Sequence, residues 1–202
     1  MKVSVLLAHP QQGSFNRAIA DTVVSTLGVN GHEVMYHDLY EENFDPVLRR
    51  DEIPKGAPLN PAIQMHCREI SEAEGIAIIH PNWWGQPPAI LKGWIDRVLR
   101  PGIAYGFVEG DTGEGVPVGL LKAKTALIFN TSNTPEERER TVFGDPLEAL
   151  WKHCIFDLCG VTNIHRKTFG VVVTSTSRQR EAWLEEVRTT VNRHFPHSLQ
   201  VS

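Results

Sequence analysis

The sequence predicts an α/β protein with a five-stranded parallel sheet and helices on both of its faces. Three observations predict this class. Short apolar strand patterns alternate with helical patterns along the chain. The run Gly75–Ile79 is continuously apolar, as in a central parallel strand that is covered on both faces. The pair Asn60-Pro61 is a typical helix start, with Asn as the cap and Pro at the first helical position.

The elements follow one another in a regular order. The predicted strands are residues 2–8, 33–38, 75–79, 124–130 and a segment within 161–173. The predicted helices, marked by apolar residues three or four positions apart, lie near residues 15–27, 60–73, 88–98, 145–158 and 183–195. Two long loops, 39–58 and 101–119, interrupt this alternation and are expected to shape a binding pocket.

The fourth helix carries three local start signals in sequence. Asp145 is expected to cap it, with Pro146 at the first position and Glu148 completing a capping box. Its expected buried face is Leu147, Leu150, Trp151, Cys154 and Leu158.

Composition narrows the class of protein. The 202 residues suit one domain, 1–202, and the net charge of −4 without a Lys/Arg run argues against nucleic-acid binding. No apolar stretch approaches the length of about 20 residues that spans a bilayer, and no secretory signal is visible. Three cysteines without a Cys-x-x-Cys pattern predict reduced core thiols in a cytoplasmic protein. Nine scattered histidines show no metal-ligand spacing, so no metal site is expected.

Polar or aromatic residues follow three of the predicted strands, in segments 9–16, 80–88 and 130–134. Ligands of open parallel sheets bind beyond the carboxyl ends of the strands. The three segments are therefore expected to converge on one site.

Segment 9–16 joins a strand to a helix N-terminus, where free N–H groups favour an anion. It lacks both the Gly-x-Gly-x-x-Gly and the P-loop pattern, which argues against a dinucleotide Rossmann loop and an NTPase loop. Ser14, Asn16 and His9 can donate hydrogen bonds to a phosphate, and a protonated His9 would also offset its charge. The alternative is that Ser14 only caps the helix and His9 only ends the strand.

The other two segments suit a flat heterocycle. Trp83 and Trp84, in a loop framed by Pro and Gly, indicate a surface for a flat ring. The alternative is that they pack under the loop or form an oligomer contact. Segment 130–134 offers short donors and acceptors for the edge of a ring, unless it is an ordinary polar loop.

Four strings carry a family resemblance: Ala8-His9-Pro10, Ser14-Phe15-Asn16, Pro88-Ala-Ile-Leu-Lys-Gly-Trp94 and Ala104-Tyr105. With them the chain resembles the flavodoxin-like NAD(P)H:quinone oxidoreductases of the DT-diaphorase type, over most of residues 1–160. The resemblance implies a flavodoxin-like three-layer sandwich with strand order 2-1-3-4-5. It also implies a bound flavin, either FAD or FMN, NAD(P)H as co-substrate, a quinone-like acceptor, and a homodimer with the site at its interface.

The resemblance further implies a ping-pong hydride transfer and a set of flavin-binding positions. These are His9, Ser14, Phe15 and Asn16 at the phosphate, Pro81, Asn82, Trp83 and Trp84 along the ring, and Asn130, Thr131, Ser132 and Asn133 at its pyrimidine edge. Tyr105 corresponds to an aromatic residue that closes over the substrate from the partner subunit.

The chain departs from the family pattern twice. Residues 130–133 replace a Thr-Thr-Gly-Gly string, and Asn133 is expected to keep the shape by adopting left-handed backbone angles. The family's Tyr and His relay falls near Glu137 and Phe143, so neither residue is kept. Two alternative functions stay open: a single-electron flavodoxin-like carrier, and a flavin-binding regulatory subunit of a partner such as a transporter.

Overall fold

A computed structural model describes residues 1–54, 56–108, 115 and 117–197 of the chain. Five strands form the main sheet, and these are β1 (Lys2–Leu7), β2 (Glu33–Asp38), β3 (Gly75–Pro81), β6 (Thr125–Ser132) and β7 (Asn163–Gly170). All of their pairings are parallel, in the order β2-β1-β3-β6-β7. Counted along the chain, the sheet strands have the order 2-1-3-4-5, which confirms the prediction.

Helices follow the strands. They are α1 (Phe15–Val29), α2 (Pro61–Glu72), α3 (Ala89–Val98), α4 (Glu136–Thr141), α5 (Pro146–Ala149) and α6 (Ser177–His194), and a π-helical segment, Leu150–Phe156, continues α5. Asn60 caps α2 through its side chain, as predicted. The short helix α4 was not predicted. None of the helices in the described residues is both long and apolar enough to cross a membrane.

The core consists of two clusters, one on each face of the sheet. Along β1, Val3, Val5 and Leu7 pack on the face that α1 and α6 cover, whereas Leu6 packs on the opposite face with residues of α2 and α3. Side chains of a strand alternate between faces, so a strand buried on both sides is apolar throughout. This arrangement is the three-layer sandwich.

Residues 145–158 differ from the prediction. Asp145 has φ 48° and makes no capping bond, and Cys154 and Leu158 are exposed although Leu147 and Trp151 are buried. The reason is the π-helical segment, because its wider turn rotates later residues off the face that a period of 3.6 predicts. The prediction of core thiols holds for Cys67 and Cys159 only.

The long loops are partly structured. Loop 39–58 contains a 3₁₀ turn at Arg50–Glu52 and packs against α3. Loop 101–119 contains a small antiparallel hairpin of β4 (Tyr105–Gly106) and β5 (Val118–Gly119). Within the second loop, residues 109–114 and 116 lie outside the described residues.

Candidate functional site

A cavity of about 330 Å³ lies at the carboxyl ends of β1, β3 and β6. Residues of all three predicted segments line it, together with the residues that follow β7. The lining is His9, Gln11, Ser14, Phe15, Asn16, Pro81, Asn82, Trp83, Thr131, Ser132, Asn133, Thr134, Val172 and Val173. The structure thus brings together the predicted site residues apart from Trp84, Asn130 and Tyr105.

One end of this cavity is the N-terminus of α1. Ser14 caps the helix, because its Oγ accepts a hydrogen bond of 3.2 Å from the N–H of Arg17. The cap uses a lone pair of Ser14, so the hydroxyl hydrogen remains available to a ligand. The N–H groups of Phe15 and Asn16, in the first helical turn, have no intrahelical acceptor. Capping and anion binding are therefore compatible at this helix end.

His9 offers this end of the cavity a neutral donor. Its Nδ1 accepts a hydrogen bond of 3.1 Å from the N–H of Gln11, which places the proton of the neutral ring on Nε2. Burial lowers the pKa of His9 below 6.5. At neutral pH the ring therefore donates one hydrogen bond and adds no positive charge.

Two asparagines leave acceptors unpaired in the cavity wall. Asn16 donates from Nδ2 to Thr131 Oγ1 at 2.8 Å, and its buried Oδ1 has no partner. The buried Oδ1 of Asn82 also has no partner, while the Asn82 N–H donates to the carbonyl of Thr131 at 2.7 Å. Unpaired buried acceptors are costly unless a ligand supplies donors. The cavity therefore suits a ligand that combines an anionic group with N–H or O–H donors.

Trp83 and Trp84 lie in a tight turn. The N–H groups of Trp83 and Gln86 each donate to the other residue's carbonyl at 3.0 Å, and the central residues Trp84 and Gly85 have φ of 59° and 71°. This is a type I′ turn. It directs Trp84 into solvent, outside the cavity, whereas Trp83 lines the cavity with its ring centroid 6.1 Å from that of His9. Trp84 therefore does not line the cavity of its own protomer, and its packing along a ring stays a prediction.

Segment 130–133, which is expected to face the edge of a ring, also differs from the prediction in its details. Asn130 is fully buried and does not line the cavity. Asn133 is not left-handed; the described non-glycine residues with positive φ are Asn43, Trp84 and Asp145. Asn133 Oδ1 instead accepts a hydrogen bond of 2.9 Å from the N–H of Val173 and ties the segment to the end of β7.

Tyr105 lies elsewhere. It is on β4 and lines a separate, mainly apolar cavity of about 400 Å³ with Phe107, Ile155 and Leu158. The phenol ring meets the ring of Phe107 edge-on at 6.0 Å. Tyr105 therefore lies outside the strand-end cavity of its own protomer, and its closing over a substrate of the partner subunit stays a prediction.

Comparison with known proteins decides the family. A family model described as a flavodoxin-like fold matches residues 1–191 of the chain. The chain belongs to this family. The family membership agrees with the strand order and with the place of the cavity at the carboxyl ends of the strands.

Several known proteins are similar to this chain over most of their length. An uncharacterized NAD(P)H oxidoreductase of Haemophilus influenzae is 36% identical over 90% of this chain and 89% of its own. A ribosyldihydronicotinamide dehydrogenase [quinone] of Mus musculus is 31% identical over 93% and 91%. A solved structure of an NAD(P)H:quinone oxidoreductase from Methanothermobacter marburgensis superposes with a TM-score of 0.82 at 28% identity, over 96% of both chains.

Four lining residues were not predicted: Gln11, Thr134, Val172 and Val173. Gln11 and Thr134 belong to segments that the sequence had already indicated. Val172 and Val173 follow the fifth sheet strand, so the rule that ligands bind at the carboxyl ends of parallel strands could have found them.

A second cavity of this flavodoxin-like protein, about 450 Å³, lies beside loop 39–58 and includes Glu42 and His66 in its lining. His37, Glu42 and His66 each offer one atom that could coordinate a metal ion, and these three atoms lie within 4.8 Å of one another. Hydrogen bonds already account for the short distances between these side chains. The Trp94 indole N–H donates to His66 Nδ1 at 3.2 Å, which leaves the His66 proton on Nε2, facing Glu42.

His37 is held between two carboxylates. Its Nδ1 lies 2.7 Å from Glu42 and its Nε2 lies 2.5 Å from Glu69. Burial lowers the pKa of His37, but the two hydrogen bonds outweigh it, so the pKa is raised above 6.5. Burial also opposes the charged form of Glu42 and by itself would raise its pKa. The hydrogen bonds from His37 and His66 outweigh burial and lower the pKa of Glu42 to about 2.

These shifts predict how stability depends on pH. The raised pKa of His37 contributes stability below pH 6.5 that is lost as the pH rises through the pKa of the folded state. The lowered pKa of Glu42 contributes stability above pH 4.5 that is lost as the pH falls towards about 2. The contribution of this cluster is therefore largest between about pH 4.5 and 6.5. Urea unfolding of the protein and of His37→Gln, from below pH 4.5 to above pH 6.5, measures this contribution. A stability difference between the two proteins that stays constant over the whole range would contradict the expectation.

Proposed function

We propose that the protein is a flavin-dependent NAD(P)H dehydrogenase that reduces a quinone or a similar acceptor. The observation that carries this proposal is the cavity at the strand ends, with a helix N-terminus at one end and unpaired acceptors in its wall. The relatives support the activity, since those of H. influenzae and M. marburgensis are named for NAD(P)H and the latter also for quinone.

The described residues fit a flavin. Its phosphate would be held by the Ser14 hydroxyl, by the N–H groups of Phe15 and Asn16 and by His9 Nε2–H. The ring of Phe15 packs against Trp183 at 5.6 Å, which leaves its N–H group as the part that faces the ligand. The unpaired Oδ1 atoms of Asn16 and Asn82 would accept from donors of the ligand.

When bound, a flavin supplies two-electron redox chemistry between NAD(P)H and the acceptor. The contribution of this chain is binding, orientation and hydrogen-bond donors. Among the described residues that line the cavity, His9 is the only one with a titratable side chain. Glu137 and Phe143, at the positions of the family's relay, do not line it. Backbone donors rather than an acid–base pair would therefore stabilise developing negative charge.

The proposal includes a ping-pong order of substrates, a cytoplasmic location and a homodimer. The hairpin that carries Tyr105 supports the dimer, because it presents exposed apolar side chains of Phe107, Val118 and Leu120. Sedimentation equilibrium of the protein and of Leu120→Glu tests the assembly. A wild-type protein that sediments as a monomer contradicts the dimer. A Leu120→Glu variant that remains a dimer contradicts the placement of the interface at this hairpin.

A direct experiment tests the activity. The purified protein is scanned for flavin absorbance, the released flavin is identified, and NAD(P)H oxidation is followed with and without a benzoquinone. We expect quinone-dependent oxidation of NAD(P)H. A protein that takes up neither FMN nor FAD would overturn the proposal, and a flavin-loaded protein without NAD(P)H turnover would favour an electron carrier or a regulatory subunit.

The proposed position of the flavin phosphate can be tested by placing a negative charge there. Aspartate caps helices as well as serine, but in Ser14→Asp a carboxylate would lie where we place the phosphate. We expect at least about a tenfold weaker flavin affinity, corresponding to about 1.4 kcal/mol, with little change in thermal stability. Ser14→Asn, a neutral cap, is the matched control and should bind nearly as the parent protein does. Fluorescence titration with FMN and FAD measures both variants, and wild-type affinity in Ser14→Asp would refute this placement.

A further inference from the structure

His80 is a buried titratable residue beneath the candidate site. It lies near the carboxyl end of β3, is fully buried and does not line the cavity. Three polar groups surround its ring. The carbonyl of Pro81 lies 2.8 Å from Nδ1, and Asn130 Nδ2 and Trp151 Nε1 lie 2.8 Å and 3.0 Å from Nε2.

The partners of His80 determine where its proton lies. The indole N–H of Trp151 can only donate, so Nε2 accepts and carries no proton. The remaining proton is therefore on Nδ1 and is donated to the carbonyl of Pro81. Burial lowers the pKa of His80 to about 4, which keeps the ring neutral in ordinary buffers.

Arg166 fixes the orientation of Asn130. Its Nη1 donates to Asn130 Oδ1 at 3.3 Å, which leaves the Asn130 amide group facing His80. Arg166 is itself held by Glu148, at 2.8 Å from Nε, and by Asp145. A continuous series of hydrogen bonds thus runs from segment 145–148 to the carbonyl of Pro81.

The Pro81 carbonyl belongs to a peptide that forms part of the cavity wall. The N–H of that same peptide, on Asn82, donates to the carbonyl of Thr131 at 2.7 Å. Pro81, Asn82 and Thr131 all line the cavity. The proton on His80 Nδ1 therefore fixes a peptide that joins the ends of β3 and β6.

We propose that His80 is a positioning residue of the flavin site, which holds the Pro81–Asn82 peptide through its Nδ1–H and is itself oriented by Asn130 and Arg166. The proposal rests on the proposed function. His80 does not touch the ligand. Its donor sets the direction of the Asn82 N–H and the place of the Asn82 side chain, whose Oδ1 is one of the unpaired acceptors of the cavity.

Two amide variants distinguish the role of Nδ1 from that of Nε2 in the His80 ring. In His80→Asn an amide N–H₂ lies near the position of Nδ1, whereas in His80→Gln the amide lies near the position of Nε2. Both lose the packing of the ring and each leaves polar groups unpaired, so both should have lowered melting temperatures. We expect His80→Asn to bind FMN and FAD within about threefold of the parent protein and His80→Gln to bind at least about tenfold more weakly. Equal losses in the two variants, or no loss in either, would overturn the proposal.

Amide hydrogen exchange gives a readout that needs no flavin. Exchange of the Asn82 N–H should be at least about tenfold faster in His80→Gln than in His80→Asn, and equal rates would refute the positioning role. Trp151→Phe is the matched control, because Asn130 still donates to Nε2 and the proton stays on Nδ1; faster Asn82 exchange in this variant would also count against the proposal. If the parent protein bound no flavin, the proposed function would fail, while the exchange rates would still decide the role of His80.

Discussion

Replacing Glu52 with alanine is expected to lower the free energy of unfolding by about 3–5 kcal/mol. Glu52 accepts two hydrogen bonds from Arg97, one from Nε at 2.9 Å and one from Nη2. The Arg97 side chain is 3% exposed and that of Glu52 is 4% exposed. The hydrogen bonds from Arg97 hold the pKa of Glu52 below 4.5. Without Glu52 the guanidinium would remain buried with part of its charge uncompensated, which is the costly way to break a buried pair.

An exposed pair on α3 is the matched control for this prediction. Lys92 and Asp96 form an i,i+4 pair at 2.6 Å, with side chains that are 52% and 41% exposed. Asp96→Ala should change the free energy of unfolding by no more than about 0.5 kcal/mol, because water already screens this pair. Urea unfolding of both variants measures the difference. A Glu52→Ala effect as small as that of Asp96→Ala would show that loop 39–58 does not depend on the buried pair.

The buried pair also illustrates what the sequence could not predict. Loop 39–58 reads as irregular and polar, yet an ion pair between residues 45 positions apart fixes it to α3. The polar networks around His37 and His80 likewise join residues from separate elements. No local pattern indicates such contacts, because they depend on how the helices pack on the sheet.

The features that depend on short-period sequence patterns were predictable from the sequence. The parallel sheet followed from apolar strands, and the meeting of segments 9–16, 80–88 and 130–134 followed from the rule for strand ends. Individual side chains were less predictable. A type I′ turn directs Trp84 away from the site, and the fully buried side chain of Asn130 faces His80 rather than the cavity. Turn type and strand face depend on one residue of register, which a segment-level prediction does not resolve.

Gly93→Ala is expected to destabilise the protein by about 1–3 kcal/mol, although alanine favours helices over glycine by about 1 kcal/mol. A methyl group at Gly93 would lie 2.2 Å from the carbonyl oxygen of Pro46 and 2.4 Å from its Cα. These are backbone atoms of a loop that cannot easily move, since Arg97 donates to the carbonyl of the neighbouring Asp45. The close approach of loop 39–58 to α3 therefore requires glycine in the string Pro88–Trp94.

Gly28→Ala is the matched control, because Gly28 is also within a helix, α1, and a methyl group there would meet nothing within 4 Å. With no steric cost, the helix preference should stabilise the protein by about 0.5–1 kcal/mol. The two substitutions are chemically identical and are expected to shift the urea midpoint in opposite directions. Shifts of the same sign would contradict the packing of Pro46 on Gly93. Because both substitutions add the same methyl group, a difference in sign between the two variants reports on the contact of Pro46 with Gly93.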